Sequence, residues 1–177
     1  MTIYDGNVGR GGPGISSQHY RSPGEIDQPL YSRITYDPTK VPGNLELTFF
    51  DFSVGRINAE RDQITWLKTN MDGAAHLQGG VMHKISGLYF YFHPTSQALL
   101  NHFVKHAYFI FRICDQDFRH QPFLTMTRYY QFFGQDIKVP ITILPYENFR
   151  LTISLAKPWK KSFDIIAELK GWRRRPE

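Results

Sequence analysis

The sequence predicts an all-β fold, an antiparallel two-sheet sandwich preceded by an extended N-terminal arm. Three observations lead there. In Phe149–Leu155, the apolar Phe149, Leu151, Ile153 and Leu155 alternate with Arg150, Thr152 and Ser154, and period two marks a half-buried strand. Shorter or less regular alternations recur at residues 45–52, 84–92, 107–113 and 137–143, with turn-forming residues between them. The chain also holds 14 Phe and 10 Tyr, side chains that favour strands. Strands and helical patterns do not alternate regularly, which argues against a parallel sheet with crossover helices.

The elements follow in order. Residues 1–43 read as an arm, with seven of the 14 glycines and five of the 11 prolines, and no periodic pattern survives that spacing. The arm still carries Tyr4, Ile15, Tyr20, Leu30 and Tyr31. Flexible linkers lack such residues, so these five are candidate docking residues, on the same domain or on a neighbouring subunit. Its cluster Gly9-Arg10-Gly11-Gly12-Pro13-Gly14 follows no strand and lacks the lysine of a phosphate loop. Residues 44–177 form the folded domain. Residues 45–52 set Leu45, Leu47 and Phe49 on one face, and Gly55 breaks the run. Residues 61–68 have weak helical character. Residues 84–92 are apolar or aromatic on both faces, as in a central strand, and end at Pro94. Ser96 is placed to cap a short helix. A strand spans 107–113, and 122–133 reads as an irregular aromatic strand. Pro140 marks 137–143 as an edge or bulged strand. The last strand is expected over 163–170, ended by Gly171. Seven or eight strands give an antiparallel sandwich whose eight-stranded form is the jelly roll.

Composition narrows the function classes. At 177 residues the chain suits one domain with an arm. No apolar run reaches the ~18 residues of a membrane helix, and the first residues lack a signal-peptide pattern. The single cysteine, Cys114, excludes an internal disulfide and fits synthesis in a reducing cytoplasm; its place after an apolar run predicts a half-buried strand thiol. The net charge is +5, and residues 156–177 supply seven Lys/Arg against three acids. Trp172, Arg173, Arg174 and Arg175 are expected to leave the sandwich after Gly171 and meet an acidic partner.

Three stretches carry a family resemblance: residues 47–55 followed by Lys68-Thr69-Asn70-Met71, residues 141–149, and residues 168–176. Their content and order resemble the single jelly-roll capsid proteins of tailless icosahedral double-stranded DNA bacteriophages of the tectivirus–adenovirus lineage. That resemblance implies a structural protein of the virion. Its partners would be copies of itself and other capsid proteins. Internal membrane lipids or packaged nucleic acid would be reached through the basic tail. It implies no catalytic residue, cofactor or metal.

Other chemistries are weaker. His76, His83, His93, His102 and His106 fall close together, but no His-x-His puts two on one strand face and no acid lies between His93 and His106 to complete a metal site. Asp115 and Asp117 read as solvated loop acids rather than a catalytic pair. No G-x-S-x-G motif is present. The alternative function is a carbohydrate-binding sandwich, lectin-like or spike-associated, with Trp66, Trp159 or Trp172 stacking on sugars.

Overall fold

A computed structural model describes residues 25–39, 45–50 and 81–174. Among them are strands β1 (Glu25–Asp27), β2 (Leu30–Tyr36), β3 (Glu46–Phe49) and β4 (Met82–His93). Helix α1 (Gln97–His106) follows, then β5 (Ala107–Ile113), β6 (Gln116–Pro122) and a 3-10 turn at Phe123–Thr125. Strands β7 (Thr127–Arg128), β8 (Phe132–Ile143), β9 (Phe149–Leu155) and β10 (Phe163–Arg174) complete the chain. The weak helical pattern at 61–68 lies outside the described residues.

Every pairing is antiparallel. One sheet runs β7-β8-β4-β10, with β1 and β2 both on the far side of β10; the other runs β3-β9-β5-β6. The chain crosses between sheets after β2, β3, β4, β7's predecessor β6, β8 and β9, which is the jelly-roll sandwich. Among the described residues there are ten strands rather than the expected eight, for two local reasons. Glu25 pairs with Arg174, Leu30 with Leu169 and Tyr36 with Phe163, so β1 and β2 occupy one lane. Pro29, with no N–H to donate, stands at the break between them. The other addition is β7, two residues paired to the start of β8.

The arm therefore does not extend to residue 43. Residues 25–36 form the edge lane of a sheet, and Leu30, expected as a docking residue, is 4% exposed in the domain's own core. Leu30, Ser32 and Tyr36 are buried at period two, a strand signal hidden between Pro29 and Pro38. Tyr36 is fixed at both ends: its ring stacks on Phe163 at 4.8 Å. Its hydroxyl donates to the Trp159 carbonyl and accepts from the Trp159 N–H, each at 3.0 Å.

Phe123, in the 3-10 turn, centres the aromatic part of the core. Its ring lies 5.0 Å from Phe90, 5.2 Å from Phe133, 5.4 Å from Phe103 and 5.8 Å from Phe109. These rings come from both sheets and from α1, so one side chain ties three elements together. Tilted and edge-on pairs of this kind add about 0.5–1.5 kcal/mol each beyond their burial. Helix α1 closes one end of the sandwich with Leu99, Leu100 and Phe103 buried. The expected cap is present: Ser96 Oγ accepts from the Leu99 N–H at 3.1 Å. Lys105 and His106 lie in the last turn, where the helix dipole favours positive charge.

Of three register slips among the described strands, the two in the larger sheet set side-chain direction. In β4 the register slips between Ile85 and Gly87, so burial passes from His83 and Ile85 to Leu88, Phe90 and Phe92. Opposite, β8 spends residues 137–140 between Asp136 and Ile141, with Pro140 inside the bulge as its missing N–H predicts. The second slip, at Lys170/Gly171, overturns the expectation that Gly171 ends the last strand. A Cβ on Gly171 would collide with the Lys84 carbonyl. Glycine is there because two backbones meet, and the strand continues to Arg174.

Candidate assembly surfaces

The residues singled out from sequence fall into three groups. Tyr4, Ile15, Tyr20 and Arg175 lie outside the described residues. Leu30 is core. Tyr31, Trp172, Arg173 and Arg174 are in strands of the same sheet, all half-buried. The basic tail therefore does not leave the sandwich at Gly171. Trp172 pairs with Asp27 and Lys84, Arg173 with Ile26 and His83, and Arg174 with Glu25 and Met82. The backbone of β1 draws these residues into the sheet, a long-range pairing that local sequence does not encode.

This corner carries mixed charge. Lys84 Nζ is 3.7 Å from Glu25 Oε1. His83 is 1% exposed, and its Nε2 lies 2.7 Å from the Gln28 carbonyl oxygen. A carbonyl only accepts, so Nε2 carries the proton. Burial lowers the His83 pKa; the Gln28 bond opposes this and Arg173 adds to it. His83 is thus a neutral clasp between β4 and the β1–β2 junction.

Among the described residues each sheet has two open edges, the β1–β2 lane and the short β7 in one sheet, β3 and β6 in the other. Of the longer edge strands, β6 is the barest. Gln116, Asp117, Phe118, His120 and Pro122 are exposed and Arg119 and Gln121 half-buried. Sequence reasoning missed it because a strand with water on both faces has no hydrophobic alternation. Asp117 is not a loop acid but part of β6, with Oδ1 2.5 Å from Arg112 Nε on β5. That bond from Arg112 holds its carboxyl below the usual range. The pair is a cross-strand tie between exposed side chains. Cys114, expected as a strand thiol, is exposed in the β5–β6 turn. Its φ is 50°, and its N–H donates to the Asn148 carbonyl at 2.7 Å.

Large exposed apolar side chains lie at both ends of the sandwich, besides Ile26 and Phe118 on the edge strands β1 and β6. Leu124, Tyr129 and Tyr130 lie around β7, at the α1 end, and Tyr130 is 80% exposed. Val139, Leu144 and Tyr146 lie in the β8 bulge and the β8–β9 connection, and Val139 is 79% exposed. Scattered exposed apolar residues are ordinary; contiguous ones mark interaction sites. Tyr129 stacks on Phe132 at 4.3 Å with 14° between the rings, so this group is partly ordered.

Of the five clustered histidines, His76 lies outside the described residues. His83 is the clasp described above, and His93 ends β4. His102 and His106 sit one turn apart on α1 with ring centres 4.8 Å apart. Among the described residues no His, Cys, Asp or Glu group of three or more is placed to hold a metal ion. No helix there is long and apolar enough to cross a membrane. Set against protein-family models, curated proteins and solved structures, the chain gives no match.

Proposed function

We propose that the chain is a structural subunit of an icosahedral virus shell, assembling through the sides and ends of its jelly roll. The observation that carries this reading is the combination of the jelly-roll strand order with sheet edges left open among the described residues and exposed apolar side chains at both ends. A two-sheet sandwich of this order is a recurrent building block of shells. Unpaired edges and exposed aromatics are the features through which copies pack. The three stretches that resemble phage capsid proteins support the same reading. Its partners are then other copies of itself and other shell proteins. An acidic partner, whether lipid headgroup, packaged nucleic acid or neighbouring subunit, meets the basic C-terminus at Arg174 and beyond.

The reading is tested by sedimentation and electron microscopy of the purified full chain across a salt series. Large regular assemblies with closed or curved walls are expected. A chain that stays monomeric at every ionic strength, yet binds an immobilised glycan panel, would sink the shell reading in favour of the carbohydrate-binding sandwich.

A further inference from the structure

Between one face of α1 and the segment that joins β9 to β10 lies a cleft of about 690 Å³. Pro94, Ala98, Leu99, Pro158, Trp159 and Phe163 supply its apolar lining, and Lys157, Lys160 and Lys161 with His102 and His106 supply its basic lining. The volume falls within the range of small-molecule sites, roughly 300–1,000 Å³. No Asp or Glu lines it. The nearest acid in sequence, Asp164, is engaged by Arg33 and by Thr35 Oγ1, the latter at 2.6 Å. None of the three lysines is in an ion pair among the described residues. The accumulated positive charge is felt at His106. Its pKa is lowered first by desolvation and then by His102, Lys157 and Lys105.

The polar groups of the cleft are largely spoken for by its own backbone. Ser96 Oγ caps α1, Thr95 Oγ1 donates to the Phe92 carbonyl, and His102 Nε2 is 2.9 Å from the Lys157 carbonyl. The last bond pins the lysine-bearing segment to the helix, and the two hydrogen bonds between the Tyr36 hydroxyl and the Trp159 backbone pin its middle. What such a cleft offers a ligand is apolar surface and ammonium groups, with few directed hydrogen bonds. Sugars and nucleobases need the opposite, since their many donors and acceptors are costly to bury unpaired. An apolar chain ending in one anionic head matches both parts, the chain on the apolar lining and the head among the lysines.

We propose that this cleft binds an anionic amphiphile, a single acyl chain bearing a carboxylate or phosphate, supplied either as a free fatty acid or from an acidic phospholipid. The proposal does not depend on the shell reading. The test is calorimetric titration of the full chain with sodium dodecanoate below its micelle concentration, beside dodecanol and acetate. One site per chain is expected. Dodecanol should bind at least tenfold more weakly, acetate should not bind detectably, and added salt should weaken dodecanoate. The triple variant Lys157→Ala/Lys160→Ala/Lys161→Ala changes only exposed side chains. It should lose at least tenfold in dodecanoate affinity at an unchanged melting temperature. Co-flotation with phosphatidylglycerol vesicles but not phosphatidylcholine vesicles, lost in the triple variant, would assign a membrane source. Dodecanoate binding without co-flotation would assign a free acid. Equal affinity for dodecanol, an unreduced affinity in the triple variant, or failure of both dodecanoate and vesicles to bind would overturn it. So would displacement by adenosine monophosphate at equal concentration, which would reduce the cleft to a general anion site.

Discussion

Strands β10 and β6 are both held by antiparallel pairing, yet their surroundings are opposite. β10 lies between β4 and the β1–β2 lane, and Phe163, Ile165, Ala167 and Leu169 along it are 3% exposed or less. β6 hangs from β5 alone, with Gln121, Arg119 and Gln116 opposite Phe109, Phe111 and Ile113 where a core strand would carry apolar residues. The backbone bonds are of one kind, so pairing does not distinguish a core strand from an exposed one. What distinguishes them is apolar area removed from water, worth about 25 cal/mol per Å². β10 contributes buried apolar area, whereas β6 contributes little and leaves its outer edge unpaired among the described residues.

That contrast is open to direct attack, and the largest expected effect comes from removing what covers β10. Truncation to Glu25 keeps every described pairing and should leave a cooperative thermal transition. Truncation to Asp37 strips the β1–β2 lane and with it Leu30 and Tyr36. It should abolish cooperative unfolding by circular dichroism. A well-folded product from the second truncation would mean that the lane is an appendage and that the arm extends through residue 36.

Charge substitutions probe the same contrast one residue at a time. Ile165→Asp places an unpaired carboxylate between the sheets and should cost at least ~4 kcal/mol or prevent folding. On the exposed strand, Phe118→Asp should change stability by roughly 1 kcal/mol or less. Equal losses in urea titrations of the two variants would show that β6 is part of the core. The backbone approach at Gly171 should matter less than a buried charge: Gly171→Ala forces β10 and β4 apart locally, at about 1–3 kcal/mol. A neutral result would place the bulge in open space.

The smallest effect is electrostatic. Burial disfavours the charged form of His83 in the fold, so its folded pKa lies below the ordinary 6.5. Between those two values the unfolded chain binds more protons, so stability falls as pH drops through that window and is fully present above it. His83→Gln should flatten the melting temperature between pH 7 and pH 5 relative to the parent. A parent whose melting temperature does not fall in that range would remove His83 as the clasp.

Much of this architecture was legible because burial and pairing coincide where strands are central. β5 and β9 are bounded as their alternation predicts, Ser96 caps its helix, and Pro140 marks a bulge. The misses sit where pairing occurs without a local hydrophobic pattern, or where prolines and a glycine hide the pattern. β6 is polar on both faces. Flanking prolines mask β2, although Leu30, Ser32 and Tyr36 keep its period. Trp172, Arg173 and Arg174 look like a tail because Gly171 reads as a stop, whereas here a glycine permits close approach. The cleft was also out of reach, since Leu99, His102 and His106 meet Lys157, Trp159 and Lys161 across some fifty residues of intervening chain.

The sequence by itself determined the all-β class, the central strands and the helix capped by Ser96, because each depends on side chains a few residues apart. Only the tertiary structure decided that residues 25–36 and 172–174 belong to the sheet. Their partners lie far away in sequence, Trp172 opposite Lys84 and Asp27 for example, and backbone hydrogen bonds carry no side-chain signature. The same holds for the lysine-lined cleft. Its charge comes mainly from one segment and much of its apolar lining from another, and nothing but the fold brings them together.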